Sequence, residues 1–340
     1  MKPPIRFAVI GLGHIGKRHV EMISRHSDAV LVSLCDNDSD IQKDIDVYQV
    51  PVFDELEKLL VEGPEFDVLA IATPNGSHAS IALKALAAGK HVIIEKPMAL
   101  NSEDALNIIN QAEKFNKKVF CVMQNRYSPP SQWIKSLMDD HILGGIYLVQ
   151  INCYWNRDER YYTGKNWRGD LMQDGGTLFT QFSHFIDMMY WLFGDITNIQ
   201  SKFNDFNHKN LSAFEDSGLI QFDFLSGGMG SISYSTSVWD SNMESSITVI
   251  GEKGSLKIGG QYMNEIEFCH IENYTMPVLE KSSQANDYGA YKGSAANHHF
   301  VYQNVVDVLK NDMKIDTNAK DGLKVVEIIE RIYSAAKTNS

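Results

Sequence analysis

Ile5-Arg-Phe-Ala-Val-Ile-Gly11-Leu-Gly13-His-Ile-Gly16 decides how this chain folds. An apolar run long enough for one buried strand ends in glycines spaced Gly-x-Gly-x-x-Gly, and a helix-compatible segment follows at once. Gly11 permits a tight turn, Gly13 lets backbone N–H groups approach a pyrophosphate, and Gly16 lets the helix pack on the strand. The N-terminus of such a helix offers unpaired N–H donors and a partial positive charge to a diphosphate. Glycine-rich turns are common, so the spacing alone is weak evidence. Context strengthens it: a second apolar run, Ala29–Cys35, ends at Asp36 about 20 residues on. A carboxylate there accepts hydrogen bonds from both ribose hydroxyls of NAD and repels the 2′-phosphate of NADP. Its neighbours Asn37 and Asp38 bring no cation to neutralise a phosphate, so the expected cofactor is NAD.

Working outward, 340 residues are long for one compact core and predict two domains. A hydrophobic fraction of 44% with 22% charged residues belongs to an ordinary globular protein. The net charge of −12 argues against nucleic acid and anionic membranes as partners. It leaves an anionic small substrate open, because local charge decides that. Cys35, Cys121, Cys153 and Cys269 show no CxxC and no metal-ligand spacing, so they read as core residues in a reducing compartment, with no metal expected. Met1-Lys-Pro-Pro leads directly into the first strand without signal-peptide character, and no apolar run approaches the roughly 20 residues that span a bilayer. The expected location is the cytoplasm.

Residues 1–123 alternate apolar runs with amphipathic segments, the pattern of βαβ units on a parallel sheet. Strands are expected at 5–10, 29–35, 68–72, 91–94 and 118–123. Helices are expected at 77–88, capped by Ser77 and stopped by Gly89, and at 102–116, opened by Ser102. Pro129-Pro130 breaks the chain before a helix over 131–140. From Gly145 the texture changes to strands at 146–155, 196–206, 217–224, 229–237, 245–250 and 255–258, with hairpin turns at Gly227-Gly228 and Gly251–Gly254. One helix, 176–193, interrupts them, and helices return at 296–310 and 321–336. The fold class is therefore α/β plus α+β. A Rossmann dinucleotide-binding domain (1–123) precedes a mixed or antiparallel open sheet with helices on one face (124–340), and the last helices are free to pack back on the first domain.

Three further stretches carry chemistry. Thr73-Pro-Asn-Gly-Ser-His78 follows the expected strand 68–72 at the carboxyl edge where such sheets bind ligands, and suits ribose and phosphates as well as a helix start. Glu95-Lys96-Pro97 follows the next strand at the same edge. A lysine partly desolvated beside a nicotinamide accepts a hydroxyl proton as hydride leaves. On the helix 176–193, spacing puts Thr180, His184 and Asp187 on one face of an otherwise Phe-, Met- and Leu-rich segment, and buried polar groups are costly without a purpose.

Together these residues resemble the Gfo/Idh/MocA oxidoreductases. The resemblance covers nearly the whole chain: Gly11-Leu-Gly-His-Ile-Gly16, Thr73-Pro-Asn75 with His78, Glu95-Lys-Pro97, Asn125-Arg-Tyr127, and Gly175-Gly176 followed by His184-Phe-Ile-Asp187. It implies an NAD-dependent oxidoreductase acting on CH–OH groups, with Lys96 assisting removal of a sugar or polyol hydroxyl proton and His184 serving as base or substrate-orienting group. It further implies cofactor contacts from Gly11, Gly13, His14, Ile15, Gly16, Asp36, Thr73, Pro74, Asn75, His78, Glu95, Lys96 and Asn125. Many polyol and aldose members carry Asp four residues before the helix His, where this chain has Thr180. That departure is similar to the branch that oxidises C3 of UDP-N-acetylglucosaminuronate in lipopolysaccharide and other surface-polysaccharide pathways. Tyr161-Tyr162, Asn166-Trp-Arg-Gly-Asp170, Asn286-Asp-Tyr-Gly289 and Gly293–Phe300 look like that branch too.

Charge supports the same direction. Arg157, Arg160, Lys165 and Arg168 concentrate positive charge in one loop of an acidic chain, and Arg forks suit a diphosphate or carboxylate. Ion pairing with Asp158, Glu159 and Asp170 is the competing account. The substrate contacts implied are Lys96, Arg126, Tyr162, Lys165, Trp167, Arg168, Thr180, His184 and Tyr288. The expected function is oxidation of a ring hydroxyl on a UDP-activated N-acetylamino sugar acid. A free polyol or aldose dehydrogenase and a non-catalytic NAD-binding regulator are the alternatives. A 2-keto acid is the co-substrate expected where NADH is reoxidised in place. A homodimer or homotetramer is expected, formed through an open sheet face that shows Tyr154, Phe222, Phe224, Tyr234 and Trp239 or their alternating neighbours to water.

Overall fold

The computed structural model describes residues 2–44, 46–163, 167–287, 289 and 291–338. The chain forms two compact units, Met1–Met123 with His298–Val326, and Gln124–Asn297 with Glu327–Ser340. The stretch 124–340 is thus not one continuous unit, because the helix His298–Asn311 belongs to the first.

In the first unit, β1 (Ile5–Ile10), β2 (Ala29–Cys35), β3 (Val52–Phe53), β4 (Val68–Ile71), β5 (His91–Ile94) and β6 (Val119–Cys121) form a parallel sheet. Their order is β3-β2-β1-β4-β5-β6, doubly wound, with the reversal between β1 and β4. Phe7 to Ile10 and Val68 to Ile71 are buried throughout, which is why these strands read as unbroken apolar runs. β3 has only two residues, too few to show a period in the sequence. Two expected helix starts are corrected. Ser77 makes no cap; its hydroxyl donates to Thr73 Oγ1 (2.8 Å) and the Pro74 carbonyl (2.7 Å) within a 3₁₀ turn, Asn75–Ser77. The helix Ser102–Lys114 is capped by Asn101, whose side chain accepts the Asp104 N–H at 2.7 Å.

In the second unit, β7 (Ile146–Tyr154), β8 (Ile196–Asn204), β9 (Ser217–Phe224), β10 (Met229–Ser235), β11 (Glu244–Gly251), β12 (Gly254–Gly259) and β13 (Glu265–Ile271) make a mixed sheet ordered β13-β12-β11-β7-β10-β9-β8. Only β7 and β10 run parallel. β13 and the small pair β14 (Ala285–Asp287) and β15 (Lys292–Ala295) add to the expected strands. Pro129 and Pro130 open the helix Pro129–Asp139, as prolines can in a first turn, rather than preceding it.

The sequence leaves two sets of side chains for the open face of this sheet, and the structure decides mostly for the alternating neighbours. Phe222, Phe224 and Tyr234 are buried on the helix-covered face, where Phe224 meets Phe193 (5.5 Å between ring centres) and Tyr234 meets Phe182 (5.2 Å). Side chains alternate along a strand, so the opposite face carries Gln150, Asn152, Ser231, Ser233 and Thr248 instead. Tyr154 does lie there, donating to Ser233 Oγ at 2.8 Å, with Leu219, Met229 and Phe268 exposed on the same face. Trp239 is 92% exposed, but in the loop after β10. Among the described residues no helix is long and apolar enough to cross a membrane, and no group of acidic, His or Cys side chains could hold a metal ion.

Candidate active site

The three glycines of the first turn each meet a different constraint. Gly11 adopts φ +85°, and a Cβ there would lie 2.7 Å from the backbone of Ala72 and Thr73. A Cβ on Gly16 would fall 1.8 Å from the Gly11 carbonyl, so only glycine lets the helix His14–Arg25 sit against the turn. Gly13 has nothing within 4 Å of its would-be Cβ, which leaves backbone amides approachable by a ligand. Asp36 is buried at the end of β2; Oδ2 accepts the Leu12 N–H (2.5 Å) and Oδ1 the Asp38 N–H (2.9 Å). Each oxygen keeps a lone pair, so the same carboxylate braces the turn and can still accept from a ribose. Open amides, a helix N-terminus and an acceptor at the ribose position fit a dinucleotide. His14 is exposed and Ile15 half-buried at that helix start.

The loops after β4 and β5 also leave the carboxyl edge of the sheet, and His78 ties them together. Its Nδ1 lies 2.8 Å from the Pro97 carbonyl and its Nε2 2.9 Å from that of Thr73. Burial holds this imidazole below its ordinary pKa against those two carbonyls. His78 therefore shapes the loops carrying Thr73, Pro74, Asn75 and Lys96. Glu95 is likewise occupied: its Oε1 takes His19 Nε2 at 3.1 Å and faces His298 Nε2 at 3.3 Å, and its Oε2 accepts the Lys96 N–H at 3.2 Å. Burial pushes this carboxyl up, but the histidines outweigh it and hold it well below the usual range.

In the second unit the expected single helix is two, Thr177–Thr180 and Ser183–Phe193, parted where Phe182 leaves helical geometry and packs on Trp155, Phe185 and Tyr234. His184 and Asp187 keep their i, i+3 relation, while Thr180 sits on a separate turn. Gly175 (φ +88°) and Gly176 (φ +116°) open this segment, and a Cβ on Gly176 would strike Tyr333 Oη at 2.5 Å. Tyr333 accepts the Leu178 N–H (3.0 Å) and donates to Glu215 (2.7 Å), which also accepts from Tyr234 (2.7 Å).

The Gln124 amide donates toward His184 Nε2 and Ser294 Oγ, both at 3.1 Å, making that ring nitrogen an acceptor. Asn125, on the same short turn, is buried with neither amide atom hydrogen-bonded. Unpaired buried amides are costly, and such a group suits a ligand. Arg126 forks onto Asp187 through Nε (2.9 Å) and Nη2 (2.5 Å), both partners buried, so its implied substrate contact meets an existing partner.

The basic loop divides by environment. Arg160 is exposed and pairs with Asp158 (2.7 Å) and Asp240 (3.4 Å), as the ion-pair account has it. Arg157 and Arg168 make no ion pair with a carboxylate among the described residues, although Asp174 acts on Arg168 as a nearby charge. Arg157, 2% exposed, donates to Gln181 Oε1 (2.7 Å), Asn242 Oδ1 (3.1 Å) and the carbonyls of Asn156 and Lys292, between the rings of Trp155, Tyr161 and Tyr291. Arg168 donates to the Tyr161 carbonyl (2.8 Å) and Tyr291 Oη (2.7 Å), stacks 3.9 Å from the Tyr161 ring centre, and keeps Nε unpaired. Trp167 lies against it at 5.5 Å. Tyr162 is buried edge-on to Tyr161 and His208. Lys165 and Tyr288 lie outside the described residues. Sequence reasoning missed His19, Gln124, Gln181 and Tyr291, though Gln124 stands beside Asn125 and Gln181 beside Thr180; His298 lay within the Gly293–Phe300 resemblance without a role of its own.

The family model for the oxidoreductase family's NAD-binding Rossmann fold matches residues 5–123, and the model for that family's C-terminal alpha/beta domain matches residues 135–340. The chain belongs to the Gfo/Idh/MocA oxidoreductases, and its first unit is their NAD-binding Rossmann fold. Among solved structures it is similar to the WlbA dehydrogenase of Bordetella pertussis in complex with NADH and UDP-GlcNAcA. The two are 30% identical over 99% of this chain and 98% of that one, with a TM-score of 0.88. The corresponding complex of WlbA from Chromobacterium violaceum is also 30% identical, over 100% of this chain and 97% of that one, with a TM-score of 0.87. The glucose-6-phosphate 3-dehydrogenase of Bacillus subtilis is 28% identical over 228 residues, 64% of this chain and 62% of that one.

Proposed function

We propose that this oxidoreductase uses NAD to oxidise a ring hydroxyl, at C3, of a UDP-activated N-acetylamino sugar acid. The observation that carries the reading is a pair of guanidiniums, buried Arg157 and half-buried Arg168, that no carboxylate among the described residues meets in an ion pair; Asp174 acts on Arg168 only as a nearby charge. Buried cations without counter-ions are costly, and an anionic ligand offsets that cost. A nucleoside diphosphate sugar acid brings phosphate and carboxylate charge, and Tyr291 with Trp167 offers aromatic faces to a uracil or sugar. The relatives solved with NADH and UDP-GlcNAcA support the same class.

Bound NAD supplies the hydride acceptor, against Gly11–Gly16 and Asp36. Lys96 takes the hydroxyl proton while the substrate C–H bond gives up its hydride and the C–O bond becomes a carbonyl. His184, oriented by Gln124, hydrogen-bonds the reacting oxygen. Thr180 beside that helix offers a hydroxyl but no carboxylate, so His184 orients rather than abstracts. Cytoplasmic action in lipopolysaccharide precursor synthesis, a 2-keto acid that reoxidises bound NADH, and assembly as a homodimer or homotetramer through the open sheet face belong to this reading. Sedimentation equilibrium tests the assembly.

NADH formation with UDP-N-acetylglucosaminuronate, UDP-N-acetylglucosamine, myo-inositol and simple aldoses tests the function. Turnover confined to the UDP-sugar acid is expected. Preference for myo-inositol or an aldose would replace the reading with a polyol dehydrogenase, and saturable NAD binding without any turnover would replace it with a regulator.

A further inference from the structure

Four polar side chains of the first unit meet in a buried cluster that the chemistry above does not use: His19, Glu95, His298 and Tyr302. They come from three places. His19 lies one turn beyond Gly16 on the helix that opens at the glycine turn, Glu95 precedes Lys96, and His298 and Tyr302 share the helix His298–Asn311. All but Glu95, at 6%, are at most 1% exposed.

Hydrogen-bond arithmetic fixes the tautomer of His19. An ionised carboxylate only accepts, so His19 Nε2, at 3.1 Å from Glu95 Oε1, must carry a proton. In the neutral ring Nδ1 is then an acceptor, and the Tyr302 hydroxyl 2.7 Å away is its donor. His298 Nε2 lies 3.3 Å from the same carboxylate oxygen and its ring stands edge-on to His19 (5.8 Å between centres, 85°). The second oxygen, Oε2, is thereby left to the Lys96 N–H at 3.2 Å. A chain of donors thus runs from Tyr302 through His19 to Glu95, and the carboxylate at its end grips the backbone of Lys96.

We propose that His19, backed by Tyr302 and His298, is a positioning residue for Lys96 acting through the Glu95 carboxylate, so that the cofactor-binding helix and the Lys96 loop hold one fixed relation. None of these side chains needs to touch substrate. Their work is to keep the Lys96 backbone where its amine meets a hydroxyl, and a misplacement of about 1 Å can cost up to ~10²-fold in rate. The kinetic half of this inference rests on the reading of Lys96 as the base.

Amide exchange read by mass spectrometry in the peptide that carries Lys96 tests the positioning without any substrate. His19→Leu removes the donor to Glu95 and should speed exchange there about tenfold, roughly one lost hydrogen bond. His19→Gln keeps an N–H donor and should restore protection. Tyr302→Phe deletes one oxygen, frees the His19 tautomer and should give a smaller increase, which covers the case in which His19→Leu fails to fold. Unchanged exchange in Tyr302→Phe and in the folded His19 variants overturns the proposal. Kinetics with NAD and UDP-N-acetylglucosaminuronate supply the second arm. His19→Leu should lower kcat about 10-fold or more with the KM for NAD little moved. The loss should vanish in a Lys96→Met background, where nothing remains to be positioned. Additive losses overturn the link to Lys96. A fully active Lys96→Met enzyme would instead refute the base assignment, leaving the exchange result to decide the positioning by itself.

Discussion

Glu95 is a buried charge and Arg168 a half-buried one, and their surroundings are opposites. Glu95 is met by a histidine donor, a facing histidine and a backbone N–H, so its charge is answered from within the unit. Arg168 is met by a carbonyl, a phenol and aromatic faces, with Nε unpaired and no carboxylate in ion-pair contact among the described residues, Asp174 acting on it only as a nearby charge. A satisfied buried charge fixes geometry, whereas an unanswered one is a standing attraction for a ligand of opposite sign. The first therefore reads as architecture around Lys96 and the second as recognition.

The sharpest way to break this contrast is to remove the group that the Glu95 side serves. Lys96→Met should lower kcat about 10²–10⁴-fold in steady-state assays while NAD binding persists. Arg168→Met should act on recognition, raising KM for the nucleotide sugar about 10- to 10²-fold, the worth of one charge-assisted contact. Arg168→Lys should not restore it, because an ammonium reproduces neither the fork nor the stacking. If KM is unchanged in both, the unanswered guanidinium is not a recognition element. Asp36→Ala should weaken NAD and narrow its advantage over NADP about tenfold in kcat/KM, by removing a ribose acceptor and the repulsion of the 2′-phosphate.

Acid sharpens the comparison from the stability side. Burial holds His19, His78 and His208 below their ordinary value of 6.5, and His91 at about 4. Each favours the neutral ring when folded, so the stability they lend is present above about pH 6.5 and is lost as pH falls toward their folded pKa values. Glu95, held low, adds a loss that begins only below its ordinary 4.5. Unfolding free energies from denaturant titrations between about pH 7.5 and 5 should fall by up to ~1.4 kcal/mol per histidine for each pH unit below 6.5. With three of these four histidines in the first unit, its probes should respond first. A flat profile would contradict the burial of neutral imidazoles there.

Much of this was legible in the sequence because periodicity and glycine spacing report backbone demands directly. β1, β2 and β5 end where the apolar runs end, and Gly11 and Gly16 stand where a Cβ cannot. Phe222 and Phe224 alternate visibly, but alternation does not say which face the helices cover, so the sequence leaves their side open and only the structure puts them on the covered face. The break at Phe182 left no mark, since Thr177 to Phe193 contains neither Gly nor Pro. Glu95 could be read as functional only through its neighbour Lys96. Its partners His19 and His298 lie 76 and 203 residues away, and a lone buried histidine carries no sign of its acceptor. The split of Arg157 and Arg168 from Arg160 likewise depends on burial, which a run of charges does not reveal.

The central claim is that an anionic nucleotide sugar answers Arg157 and Arg168 while the NAD-binding unit oxidises it. A single-turnover experiment with NAD-loaded enzyme, following NADH absorbance, addresses this whether or not product NADH is released. UDP-N-acetylglucosaminuronate should give a rapid NADH signal in wild type, and Arg168→Met should need far more substrate to reach it. UDP-N-acetylglucosamine, which lacks the carboxylate, should react more slowly. No NADH from the sugar acid, or an equal signal from myo-inositol in wild type and Arg168→Met alike, would contradict the account.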